Sequence, residues 1–267
     1  MRRAYFAILT FFVSLSGFTG SAVSKEVYVP VLAPITGFLA LEGAAQRNGA
    51  ILAAEHASKR HGLKFVADVQ DTTTAPDVAV SAFRRALKGN KPAAILGPIL
   101  GSQMLALLPL ADRENLPILT ISGTAKLTEM GSTNVFRFFP GDSVVKATHA
   151  LYAVDQMGMK RPAILFQTTA YGQSGRTVLK ENLKNLGVAP VYEEGLSPAA
   201  KDLSAALMKA VAADADGFLL HLHAGPTALA IRQAKELGLD LPIVAGSAMH
   251  QPTTAALLEP SMLKGVC

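Results

Sequence analysis

The sequence predicts an α/β protein built from two lobes, each a doubly wound parallel sheet, with a ligand cleft between them. Short continuous apolar segments alternate with segments of helical period along the chain, a pattern typical of parallel strands covered by helices on both faces. The alternation pauses near residues 135–141 and then restarts, which indicates two sheets. A length of 267 residues, 50% of them apolar, suits one large domain or two small ones.

The first series of elements ends near residue 139. The predicted strands cover 27–32, 65–69, 93–96, 118–121 and 135–139, and the predicted helices cover 41–60, 76–87 and 102–112. Pro76 and Asp77 suit the first turn of a helix, and Gly89 suits its end. We therefore expect residues 25–139 to form the first lobe.

The second series runs from about residue 140 to residue 263. The predicted strands cover 163–166, 191–193, 217–222 and 243–245, and the predicted helices cover 143–157, 174–186, 202–213 and 226–238. Leu179, Leu183 and Leu186 are spaced by four and then three residues, which places them on one helical face. Pro226 suits the first turn of its helix. We expect residues 140–263 to form the second lobe.

The first 24 residues predict export. Arg2 and Arg3 precede an apolar run over residues 4–13, and small residues occupy 22–24, which together are typical of a cleaved signal peptide. The run is about half the length that spans a bilayer, although a retained anchor is the alternative. The mature protein is expected to be periplasmic, with no stable membrane insertion after cleavage.

The composition argues against several function classes. The net charge of +5 comes from scattered basic residues, so we expect no nucleic-acid partner. A single cysteine excludes an intrachain disulfide. Neither a dinucleotide fingerprint, a P-loop nor a nucleophile elbow follows a predicted strand, and no cofactor is expected. His221 and His223 lack a third ligand at a readable spacing, so we expect no metal site, with His223 at the cleft and His221 packed inside.

Parallel sheets bind ligands at the carboxyl ends of their strands, and two loops there offer hydrogen-bond donors. Gly101 and Ser102 open a helix after the strand at 93–96, where free N–H groups and a hydroxyl suit a carboxylate or other anion. Ser122, Gly123 and Thr124 follow the next strand. The alternatives are a plain helix N-cap for Ser102 and turn chemistry for Ser122 and Thr124.

Several motifs occur together and in order across about residues 25–265. They are Thr36-Gly37, Gly43, Asn48-Gly49, Gly97-Pro98, Gly101-Ser102, Pro117, Ile121-Ser122, Leu127-Thr128, Val135-Phe136-Arg137, Asp142, Tyr171-Gly172, Arg232-Gln233-Ala234 and Gly238. On these motifs the chain resembles the periplasmic leucine and branched-chain amino-acid-binding proteins, the type I periplasmic binding proteins that serve ABC transporters.

The resemblance implies a hinged trap that closes on a small molecule and delivers it to an inner-membrane ABC permease, without catalysis. By the same likeness, Ser102 or its neighbour, with Ser122 and Thr124, would hold the α-carboxylate and ammonium of an amino acid. Tyr171 would cover the ligand from the second lobe, unless it is an ordinary half-buried ring. Asp142 would face the cleft, or else serve only the start of its helix.

Three departures from the family pattern bear on the ligand. The carboxylate-binding serine of the family falls on Gly101, and the second-lobe acid that pairs with an ammonium is replaced by Ser247-Ala248-Met249. Asp142 or Glu42, at a possible pocket edge, are the candidates to compensate. Otherwise the ligand is an amide, a urea-like solute or an organic acid. Leu222-His223-Ala224 also replaces a tyrosine-rich strand end.

Two further alternatives stay open: a regulatory sensor, and an exported α/β hydrolase using Ser102, Asp142 and a histidine. Family members continue roughly a hundred residues further by resemblance, so residues 264–267 are expected to begin a return crossover. On that basis we expect a C-terminally truncated chain, either a fragment or a naturally truncated protein, whose first lobe is incomplete. We expect this chain to bind ligand poorly on its own.

Overall fold

The structure, a computed structural model, describes residues 26–89 and 91–267. The predicted export signal over residues 1–24 lies outside the described residues. Within the described ranges, no helix is both long enough and apolar enough to cross a bilayer.

The first lobe is built on a five-stranded parallel sheet. Its strands are β1 (Glu26–Ala33), β2 (Lys64–Asp71), β3 (Ile95–Leu96), β4 (Ile118–Thr120) and β5 (Val135–Arg137), in the order β2-β1-β3-β4-β5. β1 pairs with β2 along its whole length, and the chain then returns across β1 to form β3. The strand order therefore reverses between β1 and β3, and such a switch point opens a crevice at the carboxyl ends of the strands.

Helices cover both faces of this sheet. They are α1 (Ala40–His61), α2 (Pro76–Ala86) and α3 (Gly101–Arg113), with a 3-10 turn over Ala125–Thr128. Phe83 of α2 and Met104 of α3 pack with Ile95 and Ile118 on one face. α1 covers the other face through Ala50. Burial on both faces explains why the strands read as continuous apolar runs.

The second lobe repeats the plan with four parallel strands. They are β6 (Pro162–Gln167), β7 (Tyr192–Leu196), β8 (Gly217–His221) and β9 (Ile243–Val244), in the order β7-β6-β8-β9. β6 is buried throughout. The order reverses between β6 and β8, so a second crevice lies at the carboxyl ends of this sheet.

The helices of the second lobe are α4 (Asp142–Asp155), α5 (Ala170–Asn185), α6 (Ser204–Ala212), α7 (Ala224–Glu236) and α8 (Pro252–Ala255), with 3-10 turns over Ser247–His250 and Pro260–Leu263. α4 and α5 pack together on one face around Leu179 and Leu219. α6 and α7 cover the other face around Phe218 and Ile231. Cys267 adds to the sheet beyond β9, since its N–H donates to the carbonyl of Ile243 at 2.8 Å.

The predicted fold class is confirmed, because both sheets are parallel and covered by helices. Several predicted element bounds are wrong, among them the start of β3, at Ile95 instead of residue 93, and the end of β5, at Arg137 instead of residue 139. α5 begins at Ala170 instead of residue 174, since the Thr169 side chain caps it by accepting from the Gly172 N–H at 3.2 Å. α7 begins at Ala224, two residues before Pro226. The strand predicted over 191–193 continues to residue 196.

Candidate functional site

A cavity of about 410 Å³ lies between the carboxyl ends of the two sheets. Both lobes contribute to its wall, and Phe139, in the connection between them, completes it. The first-lobe lining is Glu42, Ala45, Gln46, Ile99, Ile121 and Gly123, and the second-lobe lining is Tyr171, His223, Ala224, Ser247, Ala248, Gln251, Pro252 and Thr253. Two lobes thus enclose one space at the position where the topology predicts a ligand.

The α1 side of the cavity is set by a close backbone contact. A Cβ atom at Gly43 would lie 1.9 Å from the Pro34 carbonyl oxygen, so only glycine lets the helix rest on the loop that follows β1. Glu42 and Gln46, one helical turn apart, consequently share the face that lines the cavity. Here α1 presents two polar side chains to an otherwise largely apolar space.

Glu42 is a buried carboxyl that contacts the opposite lobe. Glu42 is only 6% exposed. Its Oε1 accepts a hydrogen bond of 3.3 Å from the N–H of Ala224, the first residue of α7. Burial raises the pKa of Glu42, and the hydrogen bond from Ala224 opposes that rise. No described lysine, arginine or histidine lies within ion-pair distance of this carboxyl.

Gln46 has a fixed amide orientation. Its Nε2 donates to the Gly97 carbonyl at 2.6 Å, and its buried Oε1 has no hydrogen-bond partner among the described residues. The side chain therefore offers an acceptor that the protein leaves unsatisfied.

Stacked rings form the second-lobe side of the cavity. The Tyr171 ring lies 3.9 Å from the His221 ring and 4.9 Å from the His223 ring, centroid to centroid. Phe38 of the first lobe lies 5.5 Å from His223. The Tyr171 hydroxyl shares a hydrogen bond of 3.1 Å with the hydroxyl of Ser247. The arrangement gives the cavity a flat, rigid aromatic wall.

Both histidines are neutral at pH 7, His221 as a buried residue and His223 as a half-buried one. Burial lowers the pKa of His223 to about 4, and burial also lowers the pKa of His221 well below its ordinary value. His221 Nε2 lies 2.9 Å from the carbonyl oxygen of Tyr171, whereas His223 Nε2 has no partner in the described ranges. Among the described residues, no three potential metal-binding side chains cluster.

Behind the aromatic wall lies a buried charged layer on α4. Asp142 Oδ1 is 3.8 Å from His221 Nε2, and burial raises the pKa of Asp142 to about 6. Lys146 is fully buried, and burial lowers its pKa to about 8 against the attraction of Asp142. The Lys146 ammonium donates to His149 Nδ1 at 3.2 Å, and burial lowers the pKa of His149 to about 3.

The connection between the lobes is held by Arg137. Its guanidinium donates to the Thr124 carbonyl at 2.9 Å and to the Thr128 hydroxyl at 2.6 Å. A Cβ atom at Gly141 would lie 2.6 Å from the same guanidinium. The Asp142 N–H, one residue on, donates to the Gly123 carbonyl at 2.7 Å, so the chain enters the second lobe in contact with the cavity wall.

A second cavity of about 600 Å³ lies beside the first and shares Phe139 and Ser247 with it. Its remaining wall is mostly apolar and includes Val144, Tyr152 and the exposed Cys267.

The structure places the predicted binding residues in two groups. Glu42, Gly123, Tyr171 and His223 line the cavity between the lobes. Five others lie outside that lining: Gly101, Ser102, Ser122, Thr124 and Asp142.

Packing explains the second group. Gly101 rests against Thr124, since a Cβ atom there would lie 1.9 Å from Thr124 Oγ1. Ser102 is the second residue of α3, and the alternative that it caps that helix is wrong, because Leu100 holds the cap position. The hydroxyls of Ser122 and Thr124 are buried without described partners.

Sequence reasoning missed Gln46 and the wall at 251–253, as well as the apolar residues Ile99, Ile121 and Phe139. Ile99 and Ile121 lie in or next to the loops after β3 and β4, which the sequence predicted as sources of hydrogen-bond donors. Gln46 follows Glu42 by one helical turn, and that spacing is the signal that could have found it.

Two parallel-sheet lobes that enclose one cavity at the carboxyl ends of their strands define the class of two-lobed α/β proteins with a cleft between the lobes. The chain belongs to the periplasmic binding protein family, whose family model matches residues 26–266. This is a family of periplasmic substrate-binding proteins, not of enzymes.

Relatives with assigned names agree with this family. The chain is 25% identical over 228 residues to a Leu/Ile/Val-binding protein of Rhizobium johnstonii, covering 84% of this chain and 62% of the relative. It is 24% identical over 233 residues to a leucine-, isoleucine-, valine-, threonine- and alanine-binding protein of Pseudomonas aeruginosa, covering 85% and 62%. The chain thus spans 62% of the length of these two relatives.

Solved structures share the fold. A leucine-binding protein from Thermotoga maritima superposes with a TM-score of 0.76 at 24% identity, covering 86% of this chain and 66% of that one. A solute-binding protein from Rhodopseudomonas palustris in complex with 3,4-dihydroxybenzoic acid gives a TM-score of 0.73 at 24% identity, covering 82% and 61%. One fold therefore serves both amino-acid and aromatic-acid ligands in these neighbours.

Proposed function

We propose that this chain is the periplasmic solute-binding component of an ABC importer, which captures a branched-chain amino acid or a related small polar solute and delivers it to an inner-membrane permease. The observation that carries the proposal is the cavity of about 410 Å³ lined from both lobes. That volume falls in the range of small-molecule sites, roughly 300–1,000 Å³.

The distribution of polarity in the wall supports a ligand with an apolar body and a polar head. Ile99, Ile121 and Phe139 supply apolar surface, whereas Glu42 and Gln46 supply polar groups on α1. A short aliphatic side chain would bury its surface against the first set, at about 25 cal/mol per Å². The polar head would then complete the hydrogen bonds that the second set lacks.

Closure of the lobes is the mechanism that this arrangement supports. The Ala125 N–H of the first lobe donates to Ser174 Oγ of the second at 2.9 Å, and Glu42 accepts from Ala224. These contacts exist only while the lobes are together. A ligand that touches both walls adds further contacts to the closed form and shifts the population toward it.

A second candidate ligand class lacks an amino group, and one observation favours it. The second lobe presents Ser247 and a neutral His223 to the cavity, with no acid among the lining residues of that lobe. An amide, a urea-like solute or an organic acid would not need such an acid. An exported hydrolase predicts a chemically altered ligand in the experiment below, whereas a regulatory sensor predicts the same ligand binding and is distinguished by its gene neighbourhood.

A thermal-shift panel tests the proposal. We expect L-leucine, L-isoleucine or L-valine to raise the melting temperature, while propionamide, urea and 4-hydroxybenzoate test the second class. The Ala45→Phe variant fills the cavity from α1 and should abolish the shift, whereas Ala53→Phe, at an exposed position of the same helix, should retain it. Because an incomplete first lobe is expected to weaken binding, each compound is added up to millimolar concentration. Recovery of a chemically altered ligand, or no shift with any compound at that concentration, contradicts the proposal.

A further inference from the structure

Three polar groups that line the cavity, two on α1 and one on the second-lobe wall, are incompletely partnered by the protein. Gln46 Oε1 and His223 Nε2 have no hydrogen-bond partner among the described residues. The Glu42 carboxyl has no described ion pair, and it accepts hydrogen bonds only from its own backbone N–H and, at 3.3 Å, from the N–H of Ala224 among the described residues. Buried polar groups are otherwise satisfied in the great majority of cases, so this cluster indicates a ligand that supplies the missing partners.

The chemistry of the cluster selects donors. Gln46 Nε2 is committed to the Gly97 carbonyl at 2.6 Å, so the amide faces its missing partner with an oxygen that only accepts. Glu42 lies one turn earlier on the same face of α1 and accepts when ionised. His223 is neutral and supplies no counter-charge to the Glu42 carboxyl, whose pKa burial raises. The wall therefore offers hydrogen-bond acceptors to a ligand, together with a carboxyl that a cationic group would stabilise in its ionised form.

The surrounding structure keeps Glu42 in place as an anion site. The N–H of Ala224 begins α7, and the positive end of a helix dipole favours a carboxylate there. Lys146, in the charged layer behind the aromatic wall, donates to His149 and is attracted by Asp142. A buried carboxylate without a cation is unfavourable, and charge-assisted donation by a ligand relieves that penalty.

We propose that Glu42, Gln46 and His223 form a subsite for a primary ammonium group, in which Glu42 is the counter-ion and the other two accept its remaining hydrogen bonds. The inference rests on the proposed function, since it places the head group of the ligand in the cavity between the lobes. The counter-ion of the ammonium group then lies on α1 of the first lobe. An acidic residue next to Ser247 in the second lobe is therefore not required. The apolar body of the ligand then points toward Ile99 and Ile121.

Three related compounds test the contributions of the ammonium and the carboxylate to binding separately. Isothermal titration of the full chain would use L-leucine, 3-methylbutylamine, which lacks the carboxylate, and 4-methylpentanoate, which lacks the ammonium. We expect 4-methylpentanoate to bind at least about 10-fold more weakly than L-leucine, since it forms no charge-assisted bonds with the subsite. 3-Methylbutylamine should retain measurable binding.

Substitutions on α1 test whether Glu42 and Gln46 bind the ammonium group. Glu42→Gln should weaken L-leucine and 3-methylbutylamine by about 10- to 100-fold and leave 4-methylpentanoate unweakened. Glu55→Gln, an exposed acid on the same helix, is the matched control and should change nothing. Gln46→Met removes the second acceptor and should weaken the same two amines, which keeps the test decisive if Glu42→Gln fails to fold.

Equal binding of L-leucine and 4-methylpentanoate, or an unchanged amine affinity in both α1 variants, overturns the ammonium subsite while leaving solute capture intact. Binding of none of the three probes also overturns it. In that case the wider panel above decides separately whether the proposed function stands.

Discussion

Replacing Lys146 with methionine should stabilise the protein at neutral pH. The side chain is fully buried, and burial lowers its pKa from 10.5 to about 8. That difference corresponds to about 3 kcal/mol of destabilisation of the charged form. Methionine fills a similar volume without charge and so removes this penalty. The substitution also removes the attraction between the ammonium and Asp142, which offsets part of the gain. We therefore expect a net increase of about 2 kcal/mol in the free energy of unfolding.

The pH dependence gives the sharper test of the same reasoning. Between pH 8 and 9.5 the unfolded chain keeps a proton on Lys146 that the folded chain releases near pH 8. The free energy of unfolding should therefore rise with pH in this window, by at most about 1.4 kcal/mol per pH unit. Lys146→Met should abolish that rise, because no lysine with a lowered pKa remains at the position.

Urea unfolding followed by circular dichroism at pH 7.5, 8.5 and 9.5 measures both quantities. The control is Lys184→Met, at an exposed position of α5, which should leave the slope with pH as it is in the wild type. A Lys146→Met protein that is less stable at pH 7.5, or that keeps the alkaline rise, would refute the argument that burial leaves this ammonium insufficiently compensated.

Two further predictions concern the backbone around the site. Gly43→Ala should destabilise the protein by about 1–3 kcal/mol, because the added methyl would meet the Pro34 carbonyl oxygen at 1.9 Å. Gly49→Ala is the matched control: a Cβ atom there has no atom within 4 Å, so this variant should be more stable than the wild type by about 0.5–1 kcal/mol. Thermal unfolding of both variants measures the opposite shifts in melting temperature. Thr169→Ala should cost about 0.5–2 kcal/mol through loss of the helix cap on Gly172. A chemical-denaturation midpoint equal to that of the wild type would contradict this second prediction.

The strands were predictable wherever both faces are buried, and less so where charge pairs replace apolar contacts. β6 is buried throughout, and its apolar run revealed it. β7 was predicted to end at residue 193, because Glu194 and Gly195, which continue it, are residue types that strands disfavour, and Glu193 itself pairs with Arg176 and Lys180 of α5, at 2.6 and 2.7 Å. Such pairing depends on α5 packing across β7, which local sequence does not encode.

The start of α5 shows the same limit. Gly172 resembles a loop residue in the sequence, yet it lies in α5 together with Gly175, which the predicted helix over 174–186 includes. A Cβ atom at Gly172 would lie 1.8 Å from the Gln167 carbonyl oxygen, and one at Gly175 would lie 2.1 Å from the His221 ring. The close approach of α5 to the sheet requires glycine, and it brings Tyr171 over the cavity.

Candidate site residues were found where topology alone determines their position. His223 follows a strand of the second sheet, and the rule that ligands bind at strand ends led to it, whereas Tyr171 was predicted from the resemblance to the family. Gln46 lies on α1, whose approach to the cavity depends on the contact between Gly43 and Pro34. That contact is tertiary, so sequence spacing alone did not reveal the acceptor.

The single cysteine offers a practical way to observe the lobes. Cys267 is exposed and is the one sulfhydryl in the chain, and it lines the side cavity together with Phe139 and Ser247, which also border the space between the lobes. A maleimide fluorophore would attach at this position without any engineered mutation. Its emission would follow rearrangements of the shared wall in real time, which makes the unmodified sequence a ready-made optical sensor.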